Sequence, residues 1–331
     1  MIKVINIIKN CKSLYFLANN IIYTIEVDTI STFLNNKSTN HYLSILNLSV
    51  YNNKLYYYND SKLYNLVGNE LIEVFTIVDV DGIEIVSENI LFTWKKLSRK
   101  EYVHSFYDFN YKKLWENIGD EVVDIINEKY VKLRGRLEID INSFTVRDIK
   151  NGNSNWSYTL PEGFKIYLSI ETIQNILYFT AYNEHQKKQL VTGLDIETGK
   201  VIWQHNFEVT SEQKFISATA FNKKDQLYYG IGIKYQVFNP KTGEIVLEKI
   251  FDECKDYNLL VDAQAVYDNK LWFVAGGGKN TKFGYVNIDT HQLEFLQDLP
   301  HEEYEVFDTP VFHEGKLYLR GKHQNNLYVF E

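Results

Sequence analysis

The feature that most constrains the fold of this chain is an internal repeat. A turn containing Asn, Asp, Glu or Gly precedes a short run of β-forming residues, and this pattern recurs along the whole sequence. Eight copies in 331 residues correspond to about 41 residues per copy, a usual length for a repeated four-stranded unit. The runs are Leu14–Leu17, Leu55–Tyr58, Ile90–Thr93, Tyr130–Leu133, Ile176–Phe179, Leu227–Tyr229, Leu271–Val274 and Leu317–Leu319.

A second motif follows several of these runs and is clearest at 195–203, Asp-Ile-Glu-Thr-Gly-Lys-Val-Ile-Trp. The same spacing recurs at 148–156 and 239–247, and a version one residue shorter ends at Trp115. Asp or Asn caps a tight hairpin turn there, and Gly supplies the positive φ that the turn requires. The Trp ring then covers the gap between neighbouring units. We therefore expect Trp115, Trp156 and Trp203 to be buried between units.

The pattern Asp-x-x-Thr-Gly-Lys-x-x-Trp resembles the repeat of the PQQ-like, quinoprotein-type β-propellers, and the match is good from Asp108 to Leu247. The resemblance implies a propeller scaffold. It implies no cofactor site, because quinoprotein dehydrogenases hold their cofactor with a disulfide between adjacent cysteines. Cys11 and Cys254 are far apart in this sequence. We therefore predict no cofactor.

The predicted fold is all-β, a single β-propeller domain over 1–331 with four-stranded antiparallel blades. Eight blades are favoured, and seven are the alternative if the terminal units merge. The last unit ends after its third strand, at Leu327–Phe330. The segment Lys3–Ile7 is either the inner strand of the first unit or the missing fourth strand of the last. The second arrangement would close the ring with terminal strands.

Charge and the N-terminal sequence exclude several classes of function. The formal net charge of −8 argues against a nucleic-acid partner, which a basic excess would favour. The N-terminus lacks the apolar core of a signal peptide, and no stretch is long enough to span a membrane. Two isolated cysteines indicate free thiols in a reducing compartment. We therefore expect a cytoplasmic monomer with no membrane partner.

No motif in the sequence predicts a catalytic residue or a metal ligand. Neither a Gly-x-Ser-x-Gly elbow nor a zinc-protease signature occurs. The acidic segment Asp79–Glu88 matches an EF-hand loop only in part and lacks flanking helices.

The loops of the predicted units differ between the two ends of the blades. Connections between units are acidic and loops between second and third strands are basic, and both should lie on one face. Loops on a rigid scaffold commonly carry binding residues. We therefore predict a protein-interaction module, such as a bacterial toxin-immunity or scaffold protein. The alternatives are a small-ligand or glycan-binding propeller and a divergent enzyme with a channel-mouth site. The predicted partner-binding residues are Asp79, Asp81, Asp120, Glu121, Glu302, Glu303, Lys95, Lys96, Arg99, Arg134, Arg136, Lys187, Lys188, Lys279 and Arg320.

Overall fold

The structure is a computed structural model that describes most of the chain. The described residues are 4–8, 13–17, 21–26, 29–34, 37–42, 47–52, 54–59, 61–67, 70–87, 89–99, 101–119, 122–126, 130–134, 142–208, 219–232, 234–254, 259–275, 281–299, 305–313 and 315–331. Within these ranges almost all regular structure is β-strand, and the helical structure is one 3-10 turn at Asp252–Cys254. The expected all-β class is confirmed.

The strands are short, as expected for Tyr-, Phe-, Val- and Ile-rich runs between turn residues. In chain order they are β1 Val4–Ile8, β2 Ser13–Leu17, β3 Ile21–Glu26, β4 Thr29–Leu34, β5 Lys37–Tyr42, β6 Asn47–Tyr51, β7 Lys54–Asn59, β8 Lys62–Val67, β9 Glu70–Thr76, β10 Gly82–Ser87, β11 Ile90–Lys96, β12 Tyr102–Asp108, β13 Lys113–Gly119, β14 Val122–Ile126, β15 Tyr130–Arg134, β16 Ser143–Asp148, β17 Ser154–Thr159, β18 Lys165–Ile173, β19 Ile176–Asn183, β20 Lys188–Asp195, β21 Val201–Glu208, β22 Ala220–Asn222, β23 Leu227–Ile231, β24 Tyr235–Asn239, β25 Glu244–Lys249, β26 Leu259–Tyr267, β27 Lys270–Ala275, β28 Lys282–Asn287, β29 Gln292–Asp298, β30 Val311–His313, β31 Lys316–Arg320 and β32 Leu327–Phe330.

These strands pair into four-stranded antiparallel sheets, eight in the described part of the chain. Sheets 1 to 7 are the consecutive groups β2–β5, β6–β9, β10–β13, β14–β17, β18–β21, β22–β25 and β26–β29, and sheet 8 has the order β1-β32-β31-β30. The N-terminal strand is therefore the fourth strand of the last sheet, with Val4 opposite Phe330. Of the two arrangements that the sequence left open, the structure has the one that removes a free sheet edge.

The recurring run that defines the repeat has a fixed place in seven of the sheets. From Leu55–Tyr58 onward, each copy lies on the second strand of its sheet. The copy at Leu14–Leu17 differs, because it is the first strand, β2, of sheet 1. The difference follows from the closure of sheet 8. Since β1 belongs to the last sheet, sheet 1 begins one strand later than the spacing of the repeat suggests.

Six apolar clusters fill the gaps between successive sheets from sheet 2 to sheet 8. The cluster between sheets 7 and 8, for example, contains Trp272, Phe283, Leu319 and Phe330. Each of sheets 3 to 7 thus contributes one apolar face to the cluster before it and the other to the cluster after it. This is why the strands read as apolar on both faces, a pattern unlike that of a sheet with one solvated side.

The repeated Trp residues connect adjacent sheets in one recurring way. The Nε1–H groups of Trp115, Trp156 and Trp203 donate to carbonyl oxygens in the next sheet, at 2.7, 2.8 and 3.0 Å. Trp203 is 8% exposed, whereas Trp115 and Trp156 are partly buried. Each ring contacts the turn glycine of the next sheet's last hairpin: Gly152, Gly199 and Gly243.

The turn chemistry predicted from the motif is present in the structure. Asp195 Oδ1 accepts hydrogen bonds from the Thr198 backbone N–H (2.8 Å) and hydroxyl (2.7 Å). These bonds, the hydroxyl first, lower the pKa of Asp195. Gly199 has a φ of +68°, a conformation that costs other residues about 1–2 kcal/mol. The motif is therefore a hairpin cap that also positions the docking point for Trp156.

Candidate functional site

The meander order of each sheet gives it two different ends. Hairpins between first and second strands and between third and fourth strands lie at one end, which we call the turn face. Loops between second and third strands, together with the connections from one sheet to the next, lie at the other end, which we call the loop face. The nine predicted partner-binding residues that the structure describes all belong to segments of the loop face under this strand order.

Sheet 3 holds an acidic connection against a basic loop. Lys95 Nζ lies 2.5 Å from Asp79 Oδ1, and the Lys96 backbone N–H donates to Asp81 Oδ2 at 2.6 Å. The Asp81 backbone N–H donates to the Trp94 carbonyl oxygen at 2.8 Å. These contacts fasten the connection that precedes β10 along the end of β11. Acidic and basic predicted residues therefore meet at the same end of this sheet.

Sheets 5 and 7 carry a different kind of ion pair at the same end, between register partners on the third and fourth strands. Lys188 Nζ, at the start of a third strand, lies 3.9 Å from Glu208 Oε1, at the end of the fourth. Lys282 and Asp298 occupy the corresponding places in sheet 7, with 2.8 Å between Nζ and Oδ1. Lys187, next to Lys188, is exposed and has a φ of +49°. Among the described residues, Lys187 makes no ion pair.

In sheet 8 the loop face is fixed more firmly, by two carboxylates that the sequence did not single out. Arg320 Nε donates to Asp308 Oδ2 at 2.6 Å, and the arginine side chain is 15% exposed. Glu305 is 2% exposed, and its carboxylate accepts from the backbone N–H groups of His323 (2.8 Å) and Gln324 (3.2 Å). Arg320 is thus engaged within the sheet, and this loop pair forms a rigid part of the loop face.

The predicted site residues therefore fall into four groups. Asp79, Asp81, Lys95, Lys188 and Arg320 make the contacts just described. Lys96, Arg99 and Lys187 are exposed, and among the described residues their side chains make no ion pair. Arg134 ends β15. The remaining predicted residues lie outside the described part of the chain: Asp120, Glu121, Arg136, Lys279, Glu302 and Glu303. That a partner binds these residues stays a prediction.

The ion pairs of the loop face arrange the loops more than they stabilise the fold. The side chains of Lys95 and Asp79 are 36% and 75% exposed, and such solvated pairs contribute about 0–1 kcal/mol. Beneath them, the Tyr58 hydroxyl donates to the Ile77 carbonyl oxygen at 3.2 Å. Burial, and to a smaller extent the charge of Asp81, raises the pKa of Tyr58. The loop at 77–81 is thus held on its inner side by the neutral Tyr58 hydroxyl and carries charged side chains on its outer side.

The first strands of the sheets, which line the centre of a propeller, carry two acidic residues at corresponding places. Glu84 and Asp124 are each the third residue of their strands, β10 and β14. Glu84 has solvent-accessible surface, yet the surrounding protein raises its pKa by desolvation. In the described ranges, no group of three or more His, Cys, Asp or Glu side chains could hold a metal ion. Nor does any helix there have the length and apolar character needed to cross a membrane.

Comparisons with known proteins agree with the propeller architecture. No family model and no curated protein matches the sequence. Among solved structures, the chain is similar to BamB from Moraxella catarrhalis, with a TM-score of 0.62 and 13% identity over 100% of this chain and 98% of that chain. It is also similar to Sqt1 from Saccharomyces cerevisiae, with a TM-score of 0.60 and 12% identity over 98% and 96%.

A europium-containing methanol dehydrogenase is a further structural neighbour, with a TM-score of 0.55 and 9% identity over 99% of this chain and 93% of that chain. At such identities the likeness shows the fold alone. The prediction of a β-propeller of four-stranded antiparallel sheets is thereby supported from both the strand pairing and the comparisons.

Proposed function

We propose that this chain is a non-catalytic protein-interaction module whose partner binds the loop face. The observation that carries the proposal is the meeting of an acidic connection and a basic strand end on the loop face of sheets 3 and 8, with cross-strand ion pairs at the same end of sheets 5 and 7. Mixed-sign charges at an interface steer encounter and set specificity. Because paired strands already hold these loops in place, the loops lose little conformational entropy when a partner binds. A role as a bacterial toxin-immunity or scaffold protein fits this arrangement.

The proposal includes a cytoplasmic location and a monomeric state, both of which are expectations from the sequence. It also includes a single domain in which each of the eight sheets is one blade of a closed ring. Light scattering during size-exclusion chromatography would test the monomer. Class averages from electron microscopy, viewed along the ring axis, would test the blade number, and six or seven blades would contradict the proposal.

The binding face can be tested with two triple variants of equal charge change. The first reverses exposed cations of the loop face and consists of Lys96→Glu, Arg99→Glu and Lys187→Glu. The matched control reverses exposed cations on the turn face and consists of Lys200→Glu, Lys224→Glu and Lys241→Glu. Immobilised wild-type and variant proteins would be compared by quantitative capture from extracts of the source cell and with the products of neighbouring genes.

We expect the loop-face variant to lose proteins that the wild type captures, and the turn-face variant to retain them. Both variants should unfold close to the wild-type temperature, because exposed charges contribute little to stability. Retention by the loop-face variant together with loss by the turn-face variant would contradict the proposal.

A divergent enzyme remains the second candidate, because Glu84 combines solvent access with a raised pKa. General acids have this property. Turnover of a glycoside or ester panel by the wild type, abolished in Glu84→Gln with folding retained, would favour this candidate over the interaction module. A glycan-binding propeller would instead give hits on a carbohydrate array that survive the loop-face charge reversals.

A further inference from the structure

Three partly exposed or exposed apolar side chains share one face of sheet 3 at its loop end. Val103 is the register partner of both Lys95 and Ile118, and cross-strand partners point to the same face of a sheet. Leu97 lies two residues beyond Lys95, and its backbone N–H donates to the Glu101 carbonyl oxygen at 2.9 Å. Leu97 directly follows the last residue of β11, and this hydrogen bond continues the pairing of β11 with β12 by one residue. The alternation of side chains then places Leu97 on the face of Lys95, Val103 and Ile118.

A fourth apolar side chain comes from the connection that precedes sheet 3. Val78 is directly followed by Asp79, and the ion pair of Asp79 with Lys95 brings this connection to the same end of the sheet. Val78 is 63% exposed, Ile118 56% and Leu97 48%. Single exposed apolar residues are common, whereas grouped ones beside polar residues mark interaction sites. We call Val78, Leu97, Val103 and Ile118 the apolar patch.

The charges around the apolar patch indicate the chemistry of its partner. Asp79 and Asp81 are already engaged by Lys95 and by a backbone N–H. Lys96 and Arg99 are exposed and, in the described part of the chain, unpaired. The hairpin 95–101 contains four basic residues and one acidic residue, in a chain with a net charge of −8. The patch is therefore bordered by the exposed cations Lys96 and Arg99 and by the carboxylates of Asp79 and Asp81, which already have partners.

We propose that the apolar patch binds an acidic protein segment that presents a large apolar side chain flanked by carboxylates. The apolar side chain packs against Leu97 and Ile118, and the carboxylates meet Lys96 and Arg99. The inference rests on the proposed function, because it names the part of the loop face and the chemistry of the partner. Complementary charge speeds association in a salt-dependent way, and the desolvated apolar contact slows dissociation.

A peptide selection tests this inference without knowledge of the natural partner. The immobilised full chain is panned with a phage-displayed library of random dodecapeptides. Synthetic peptides of the enriched sequences are then titrated by fluorescence anisotropy at low and high salt. The patch variants are Leu97→Ser and Arg99→Glu, and the controls are Val246→Ser and Lys200→Glu. Val246 is an exposed apolar residue of sheet 6, 57% exposed, and Lys200 is an exposed cation of the turn face.

We expect enriched peptides with Asp or Glu next to Leu, Ile, Phe or Trp. Leu97→Ser and Arg99→Glu should each weaken binding about tenfold or more, as loss of a central contact does. Only Arg99→Glu should reduce the salt dependence, and the two controls should bind as the wild type does. Circular dichroism melts establish that all four variants are folded.

Several results would overturn the inference, and they separate it from the proposed function. Basic consensus peptides, no enrichment, or binding unchanged in Leu97→Ser would each refute the acidic partner at this patch. Binding lost in Lys187→Glu but not in the patch variants would refute the patch and leave the loop-face proposal standing. Binding lost only in Lys200→Glu would refute both. If oligothymidine bound as tightly as the selected peptides, and Arg99→Glu but not Leu97→Ser weakened this binding, the patch would be a phosphate site and not a protein site.

Discussion

Replacement of Gly199 by alanine tests whether the Trp residues really hold adjacent sheets together. A Cβ atom at Gly199 would lie 2.6 Å from the Trp156 ring, closer than packed carbon atoms approach. The ring, which donates to the Ile196 carbonyl oxygen at 2.8 Å, would have to move. Gly315 provides a matched control, because its φ of +74° resembles the +68° of Gly199 and nothing lies within 4 Å of its Cβ position.

Both substitutions lower the free energy of unfolding through backbone strain, and Gly199→Ala lowers it further through a steric clash. Alanine in the left-handed region costs about 1–2 kcal/mol at either position. Overpacking against Trp156 adds about 1–3 kcal/mol at Gly199 alone. Gly199→Ala should therefore lower the free energy of unfolding by about 2–5 kcal/mol, and Gly315→Ala by about 1–2 kcal/mol. Equilibrium urea unfolding followed by circular dichroism measures both values, with equal m-values required for the comparison.

A double variant shows whether the difference comes from the Trp156 ring. In a Trp156→Ala background, the cost of Gly199→Ala should fall to that of Gly315→Ala, because no ring remains to be displaced. Equal costs for Gly199→Ala and Gly315→Ala in the wild-type background would refute the reasoning. So would an excess cost at Gly199 that persists after the ring is removed.

Three further predictions concern the gaps between sheets. Trp203→Ala should lower the free energy of urea unfolding by about 3–5 kcal/mol, because the Trp203 ring is 8% exposed. An unchanged unfolding midpoint would show that the ring does not pack between sheets. Gln264→Leu should lower the free energy of unfolding by about 1–3 kcal/mol, because the Gln264 amide accepts from the N–H of Ile231 at 2.8 Å and donates to its C=O at 2.6 Å. The Ile231 amide should then lose its protection from hydrogen exchange, and unchanged protection would contradict this role. Burial raises the pKa of Cys254 from 9.0 to about 11. The neutral thiol therefore contributes fully to the stability of the folded state below pH 9, and this contribution is lost as the pH rises through 11. In a Cys11→Ser background, the folded thiol should react with Ellman's reagent at pH 8 about a hundredfold more slowly than in urea, and equal rates would contradict its burial.

The sequence predicted the repeating unit well because the signals for it are local. The turn at 195–199 is specified by an Asp and a Gly four residues apart, and both act on their own hairpin. The second strands follow from runs such as Ile176–Phe179, whose apolar character is visible without knowledge of their neighbours. The run Leu14–Leu17 lies on the first strand of its sheet instead, because position within a sheet depends on where β1 pairs, at the opposite end of the chain.

Prediction of the candidate site was less complete. Charge alone identified Asp79 and Lys95, but not that they pair with each other. Arg320 stays a predicted partner contact, but the sequence did not show that its Nε atom contacts Asp308. Val78 and Leu97 were missed, although an apolar residue within a charged loop is a signal that could have found them. Glu305 gave no signal, because a buried carboxylate and an exposed one read alike in a sequence.

The sequence by itself determined the all-β class, the four-stranded unit, the hairpin turns and the Trp residues that lie between units, Trp115, Trp156 and Trp203. Each depends on interactions within one hairpin or between neighbouring hairpins, about one repeat apart. Only the tertiary structure decided that β1 completes sheet 8 and that Lys95 neutralises Asp79. It also decided that Leu97 and Ile118 share an exposed face. Pairing and exposure depend on strand register and on which segments meet at a sheet end, and these are set by contacts across the fold.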